Sequence, residues 1–383
     1  IDFEAPFNYK PAEERQYLFD HVWRQVADKF YDPKMQGVDW EYYRKVYEKY
    51  LPYINNNFDF AEMLSEMLGE LNASHTGCRY YASGATLSTA ALGVFLDPSY
   101  EGDGLKIKEI IKRGPFAVKK NEVTPGSIIE KIDGTDIKAG EDYNALLDGK
   151  AGKNIRLTIK NAKGKRFDLT IKAISQGAQQ ELLYKRWVDR NRAIVDSVSH
   201  GRIAYVHVKA MNSESFRTVY SELLSEKNRT KDAVIVDERH NGGGWLHDDL
   251  CTLLSGKQYQ EFVPHGKVVG KDPFNKWTKP SCVLICEDDY SNGHGFPWVY
   301  KELGIGKLIG APVAGTMTAV WWETLMDRSL VFGIPQVGCR DMRGTFGENT
   351  TLQPDIEVYN SPEDYITGHD TQLIRAVEEM MKK

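Results

Sequence analysis

Hydrophobic positions recur at near-helical spacing through the first part of the chain. Leu18, Val22, Val26 and Phe30 make one stripe, widened by Tyr17 and Trp23, and predict a helix over 12–30. A second helix fits Trp40–Leu51, and a third fits Phe60–Leu71, entered after Asp59 as its cap. A polar turn of small residues follows, Asn72-Ala73-Ser74-His75-Thr76-Gly77. Over 88–173 the pattern shortens to β-rich runs: Gly93–Leu96, Leu105–Ile111, Ile128–Ile132, Ile155–Lys160 and Phe167–Ile171. Pro125-Gly126, Asp133-Gly134 and Lys163-Gly164 punctuate them, with one short helix over Asp142–Leu147.

From about residue 180, strand and helix alternate. Helices fit Glu181–Val198, Ser213–Ser225 and Thr371–Met381, and another is expected after Ser291. Strands fit Ile203–Val208, Ala233–Asp237, Ser281–Cys286, Lys307–Ile309 and Leu330–Pro335. Such alternation predicts an α/β layer with a largely parallel sheet. The expected organisation is α+β and α/β multidomain: a helical subdomain over 1–87, a small β-rich domain over 88–175, and an αβ domain over 176–383. The length of 383 residues fits two or three domains.

Hydrophobic residues at 41% and charged residues at 27% supply ordinary globular cores. A net charge of -5 with scattered basic residues gives no footprint for nucleic acid. No apolar run reaches the ~18 residues of a membrane span. The chain begins at Ile1, as a mature form or an excised fragment would, so location stays open between cytoplasmic and exported. Five cysteines, an odd count without a CxxC pair, argue against a disulfide framework or structural zinc and predict buried small residues.

Three places could carry chemistry. Asp237–Gly244 runs from the apolar strand Val234-Ile235-Val236 into Gly242-Gly243-Gly244. Glycines there free backbone N–H groups for an oxyanion hole or a phosphate, or simply make a tight turn. Ser291, in Tyr290-Ser291-Asn292-Gly293-His294-Gly295, stands at a strand-to-helix junction, as an exposed nucleophile or as an N-cap. His75 sits in its polar turn as a candidate general base or as a structural histidine. The cluster His240, His247, Asp248 and Asp249 matches no familiar metal spacing.

In order and context these segments resemble the catalytic half of tricorn protease and, more distantly, the carboxy-terminal processing serine peptidases. Asn72–Thr76 is similar to that family's Ser-His turn, Asp237–Gly244 to its Asp-x-Arg-x-Asn-(Gly/Pro)-Gly-Gly segment, and Ser291-Asn292-Gly293 with Phe296-Pro297 to its nucleophile turn. Gly347-Glu348-Asn349 and Pro354–Val358 resemble its closing signature, and Arg186-Trp187-Val188 and Gly201–His207 its approach to the domain. The resemblance implies a PDZ-like domain at about 88–173 and a crotonase-like αβ catalytic domain. It further implies a Ser-His-Ser-Glu tetrad of Ser291, His75, Ser74 and Glu348, with an oxyanion hole from the N–H groups of Gly243 or Gly242 and of Asn292. Substrates would be peptides or unfolded protein segments, with neither metal nor organic cofactor, and a homo-oligomer is compatible with the resemblance. Leu92-Gly93-Val94-Phe95 is similar to the loop and strand by which PDZ domains hold a peptide's carboxylate.

One departure stands out: the tricorn pattern has Asp after the nucleophile, and this chain has Asn292. His294 is expected at the surface or against substrate. Trp245, Trp321 and Trp322 are expected to pack in the core, with an apolar pocket wall as the alternative. A catalytically silent peptide- or ligand-binding protein on the same fold is the competing function, disfavoured because it has no need of the intact tetrad. An acyl-CoA enzyme of crotonase type leaves Ser291 and His75 unexplained.

Overall fold

Three helices open the chain and share one core. Helix α1 (Pro11–Lys29) buries Leu18, Phe19, Val22 and Val26. Helix α2 (Trp40–Glu48) is capped by the Asp39 carboxylate, and Tyr47 and Leu51 continue its buried face. Helix α3 (Asn57–Gly69) starts earlier than the sequence pattern suggested: Asn56 is its cap, accepting from the Asp59 amide. Asp59 sits in the first turn, where a carboxylate complements the helix dipole. These helices pack on Leu330, Phe332 and Ile334 of a later antiparallel sheet and on Leu325 in the turn that joins two of its strands. Each fully buried side chain of this kind contributes about 1.5–3 kcal/mol. Strand β1 (Cys78–Tyr80) leaves the His75 turn directly for that sheet.

This computed structural model describes residues 8–82, 84, 88–119 and 122–382. It divides into two units, one formed by Ile1–Ser83 with Arg192–Lys383 and the other by Gly84–Asn191.

The second unit is built on β2 (Val94–Leu96), β3 (Leu105–Ile110), β4 (Ile128–Ile132), β5 (Thr135–Asp136), β6 (Asn154–Lys160) and β7 (Arg166–Lys172). Their order is β2-β3-β4-β6-β7, antiparallel throughout, with β5 paired to β4. Period-2 alternation places Ile155, Leu157, Ile159, Leu169 and Ile171 in one core with Ile107, Ile129 and Phe116. The short helix expected at 142–147 is a 3₁₀ turn, Tyr143–Leu146, capped by Asp142. Helix α4 (Gln176–Val198) then carries the chain out of this unit.

The remainder belongs to the first unit. It contains β8 (Ile203–His207), α5 (Ser213–Leu223), α6 (Glu226–Arg229), β9 (Ala233–Asp237), α7 (His247–Leu254), β10 (Gln260–Phe262), β11 (Gly270–Asp272) and β12 (Ser281–Ile285). These are followed by α8 (Asn292–Glu302), β13 (Lys307–Gly310), β14 (Thr318–Thr324), β15 (Leu330–Gly338), β16 (Ile356–Glu357), α9 (Pro362–Thr367) and α10 (Thr371–Met381).

A parallel sheet of order β16-β13-β12-β9-β8 forms the layer that the alternation predicted. Its central strands are buried at every position, and apolar except for Asp237 at the end of β9 and Ser281 at the start of β12. Residues of α5, α7 and α8 share a core with it, and α10 lies against β8, β9, β12 and β13. The order rises monotonically along the chain, so the loops after β9 and β12 emerge side by side at the carboxyl edge, where open α/β sheets place ligands. The antiparallel sheet β1-β15-β14 is the other half of this unit. Strand β14 went unpredicted because its run Val320-Trp321-Trp322-Glu323 is largely exposed and shows no apolar alternation.

Candidate active site

Ser291 stands where the β12 loop enters α8, with φ 58° and ψ -119°. A non-glycine residue rarely adopts that backbone, and such strain concentrates at functional turns. Its hydroxyl makes no capping bond to α8, so it occupies the cap position without acting as a cap. The turn is held instead through its backbone, since the Ser291 amide donates to Thr316 Oγ1 at 2.8 Å.

Gly243 explains the glycine run beside it. Its φ is 93°, and a Cβ there would lie 2.6 Å from Ser291 Cβ and 2.7 Å from the Tyr290 carbonyl oxygen. Only glycine permits that approach. The Gly243 amide already donates to Asn241 Oδ1 at 2.9 Å. The Gly242 amide has no acceptor among the described residues, and Gly242 lines the cavity in front of Ser291. The Asn292 amide is the first of α8 and has no carbonyl four residues back within the helix.

The His75 turn arrives from the helical part, and β1 pins it by pairing with β15. Gly333 of β15 is required here too, because a Cβ on it would lie 2.2 Å from the His75 carbonyl oxygen. The His75 amide donates to the Tyr290 hydroxyl at 2.6 Å, and the two rings lie 4.8 Å apart. Tyr290 thereby ties the histidine turn to the residue before Ser291. Sequence reasoning gave Tyr290 no role.

Behind the histidine runs a short polar chain. His75 Nδ1 lies 2.7 Å from Ser74 Oγ, and the Ser74 hydroxyl donates to Glu348 Oε2 at 3.0 Å. The Ser74 amide adds a bond of 2.5 Å to Glu348 Oε1. With its one proton given to the carboxylate, Ser74 Oγ must accept from His75 Nδ1–H. That leaves the proton off Nε2, whose lone pair is available. Thr318, at the start of β14, reaches both members: its Oγ1 is 2.9 Å from Ser74 Oγ and 3.0 Å from His75 Nδ1. Nothing in the sequence pattern marks Thr318.

Burial lowers the His75 pKa to about 4. Burial also raises the Glu348 carboxyl above its ordinary value, opposed by bonds from the Ser74 amide and hydroxyl and from the Met317 and Thr318 amides. Ser291 and His75 face one cavity of about 610 Å³. No hydrogen bond joins their side chains among the described residues, and catalytic bonds often tighten only with substrate bound.

The cavity wall is apolar and aromatic, with Trp245, Trp298, Trp322, Met317 and Val320 on it. The expected core role of the tryptophans is overturned. Trp245 is 67% exposed, Trp321 55% and Trp322 36%. Arg79 lies over the Trp322 ring at 4.2 Å. His294 is likewise not at the surface: it is buried, its pKa is lowered to about 4 by burial, and its Nδ1 accepts from the Thr316 amide.

Asn292 is buried and fully engaged. Its Oδ1 accepts from the Leu246 amide at 2.7 Å and the His247 amide at 3.1 Å, capping α7 from outside. Its Nδ2 lies 2.8 Å from His247 Nδ1. His247 lines the cavity, away from Asp248 and Asp249 in chemical role. Four cysteines are buried as expected, and Cys339 is half-buried on the cavity wall.

In the second unit, Leu92 is buried, Gly93 has φ 71°, and Phe95 is half-exposed. The Gly93 amide, in the segment expected to meet a peptide carboxylate, donates to Gln179 Oε1. Among the described residues, β2 pairs on one side only.

Three family models match the chain. The tricorn protease C1 domain covers residues 11–69, the tricorn protease PDZ domain 100–176, and peptidase family S41 202–358. A tricorn-like protease C-terminal subunit of Sulfurisphaera tokodaii is 29% identical over 97% of this chain and 44% of its own length. The tricorn protease of Thermoplasma acidophilum is 26% identical over 97% of this chain and 35% of its own. The chain therefore spans less than half of these relatives. A crystal structure of the tricorn protease superposes with a TM-score of 0.85 at 24% identity, covering 99% of this chain and 38% of that one. The resemblance read from the sequence thus holds along the chain, and no described helix is long and apolar enough to cross a membrane.

Proposed function

We propose that this chain, which carries the domain set of a tricorn-type serine peptidase, hydrolyses peptide bonds in peptides or unfolded segments with Ser291 as nucleophile and His75 as base. The observation that carries the proposal is the continuous chain His75 Nδ1–Ser74 Oγ–Glu348 behind a histidine that shares a cavity with Ser291.

The proposed steps run as follows. His75 Nε2 removes the Ser291 proton as Oγ attacks the scissile carbonyl, giving a tetrahedral oxyanion. Positive charge appears on the imidazole and is met by Glu348 through Ser74. The Asn292 amide and an amide of the Gly242–Gly243 segment hold the oxyanion; each such donor is worth about a hundredfold or more in rate. Gly242 is the better placed of the two, because the Gly243 amide is already bonded to Asn241. His75 then returns the proton to the leaving amine, and water resolves the acyl-enzyme by the same route in reverse.

We assign the αβ layer to the crotonase-like kind, and the aromatic cavity wall to apolar side chains of the substrate. The one-sided strand β2 would take a substrate segment by strand addition. The missing Ser291–His75 hydrogen bond is the observation on the side of a silent binding protein. A peptide-library digest decides between the two: cleavage by the native chain, abolished in Ser291→Ala, supports the peptidase. Binding without cleavage in both supports the silent protein.

A further inference from the structure

Two loops frame the proposed catalytic centre, and a side-chain cluster that the chemistry does not use joins them. His240 comes from the loop after β9, next to Asn241; Cys286 and Asp288 come from the loop after β12 that leads to Ser291. The His240 amide donates to Cys286 Sγ at 3.1 Å. His240 Nδ1 lies 3.0 and 3.1 Å from the Asp288 oxygens and 3.8 Å from Cys286 Sγ. The Cys286 thiol donates to Asp288 Oδ1 at 2.8 Å.

One sulfur, one imidazole nitrogen and one carboxylate oxygen therefore lie within 4.8 Å of one another. With Zn–S near 2.3 Å and Zn–N or Zn–O near 2.0–2.2 Å, tetrahedral ligand atoms stand about 3.3–3.6 Å apart. The observed separations of 2.8 to 3.8 Å bracket that spacing. The donor set suits zinc or cobalt and not calcium or magnesium, which take all-oxygen shells. Cys286 is buried and fixed, while His240 and Asp288 are about half and two-thirds exposed, which gives an entry path. The sequence conceals the set because His240 and Cys286 are far apart along the chain.

We propose that His240, Cys286 and Asp288 bind one divalent ion of the zinc class, with water in the fourth position, and that the ion clips the Asn241–Gly243 loop to the Ser291 loop. Binding breaks the Cys286 S–H bond, forms a metal–sulfur bond and releases the proton to solvent, with no change of oxidation state. The ion site stands independently of the peptidase proposal; only its consequence for turnover rests on that proposal.

Cobalt(II) titration of the full chain tests the site. The expected result is one equivalent bound with a sulfur-to-cobalt charge-transfer band that zinc displaces. Cys286→Ser removes the band, His240→Ala and Asp288→Asn each weaken binding about tenfold or more, and His265→Ala changes neither. Absence of the band, or unchanged affinity in both His240→Ala and Asp288→Asn, overturns the site. The clip is tested by amide hydrogen exchange. Zinc is expected to slow exchange over 239–244 and 286–292 in the native chain and not in Cys286→Ser, and equal exchange with and without zinc overturns it. Neither readout needs catalysis, so failure here is distinct from failure of the peptidase proposal.

Discussion

Asn292 holds His247 in a single tautomer. The Asn292 oxygen faces two backbone donors, the amides of Leu246 and His247, so its NH₂ must be the group facing His247 Nδ1. That nitrogen can only accept, and the imidazole therefore carries its proton on Nε2. The tricorn pattern's aspartate at this position would accept from Nδ1–H instead and reverse the ring's polarity.

Asn292→Asp is accordingly expected to change substrate binding more than chemistry, because the backbone amide at 292 is untouched. KM should shift several-fold with kcat within about threefold, and the nitrogen NMR shifts of His247 should report Nδ1 protonation. A hundredfold fall in kcat at constant KM would contradict this separation.

The Thr318 hydroxyl lies within hydrogen-bond distance of both His75 Nδ1 and Ser74 Oγ. Thr318→Val should lower kcat about tenfold, matching the loss of a hydrogen bond of about 1.5 kcal/mol to a group that becomes charged, while KM stays put. Thr318→Ser should restore the rate. Equal loss in both variants would mean that the methyl group, and not the hydroxyl, positions the histidine.

The acid limb of kcat/KM should lie well below the ordinary histidine value of 6.5, since burial lowers His75 to about 4. The same shift affects stability. The unfolded chain takes up this proton near 6.5 and the folded chain only near 4, so protonation favours unfolding in that window. Stability from this group is complete above 6.5 and is lost as pH falls toward 4. Denaturant titrations between pH 7 and pH 4 should show a slope that is reduced in His75→Ala; an unchanged slope would assign it to other groups.

Gly243→Ala combines a forbidden φ with a Cβ 2.6 Å from Ser291 Cβ. Turnover should fall by a hundredfold or more while far-UV circular dichroism stays native. Near-native turnover would show that the Ser291 turn can shift without cost, against the strained geometry described above.

Much of this was legible in the sequence for a physical reason. The glycine run Gly242–Gly244 after a buried strand and the place of Ser291 at a strand-to-helix junction were visible in the sequence, but the roles given to Ser291, His75, Ser74 and Glu348 came from the family resemblance, and the positive φ of Ser291 left no mark in it. The parallel strands were readable because burial on both faces demands mostly apolar runs, such as Val234–Val236 and Cys282–Ile285. Thr318, Tyr290 and His247 were not readable, because each acts through one ordinary hydroxyl or imidazole placed by pairing or packing far away in the chain. Burial misled in both directions. His294 was expected at the surface or against substrate and is buried, its Nδ1 accepting from the Thr316 amide; Trp245 and Trp321 were expected in the core, with a pocket wall as the alternative, and lie exposed, Trp245 on the cavity wall. Asn56 displaced Asp59 as the α3 cap because both residue types cap well and only the backbone decides between them.

The central claim is that His75 activates Ser291. A fluorophosphonate reacted with the full chain, with the adduct located by peptide mass spectrometry, tests it directly. The account predicts a single adduct on Ser291, formed at least a hundredfold more slowly in His75→Ala. No adduct on Ser291, or labelling at the same rate without His75, would contradict it.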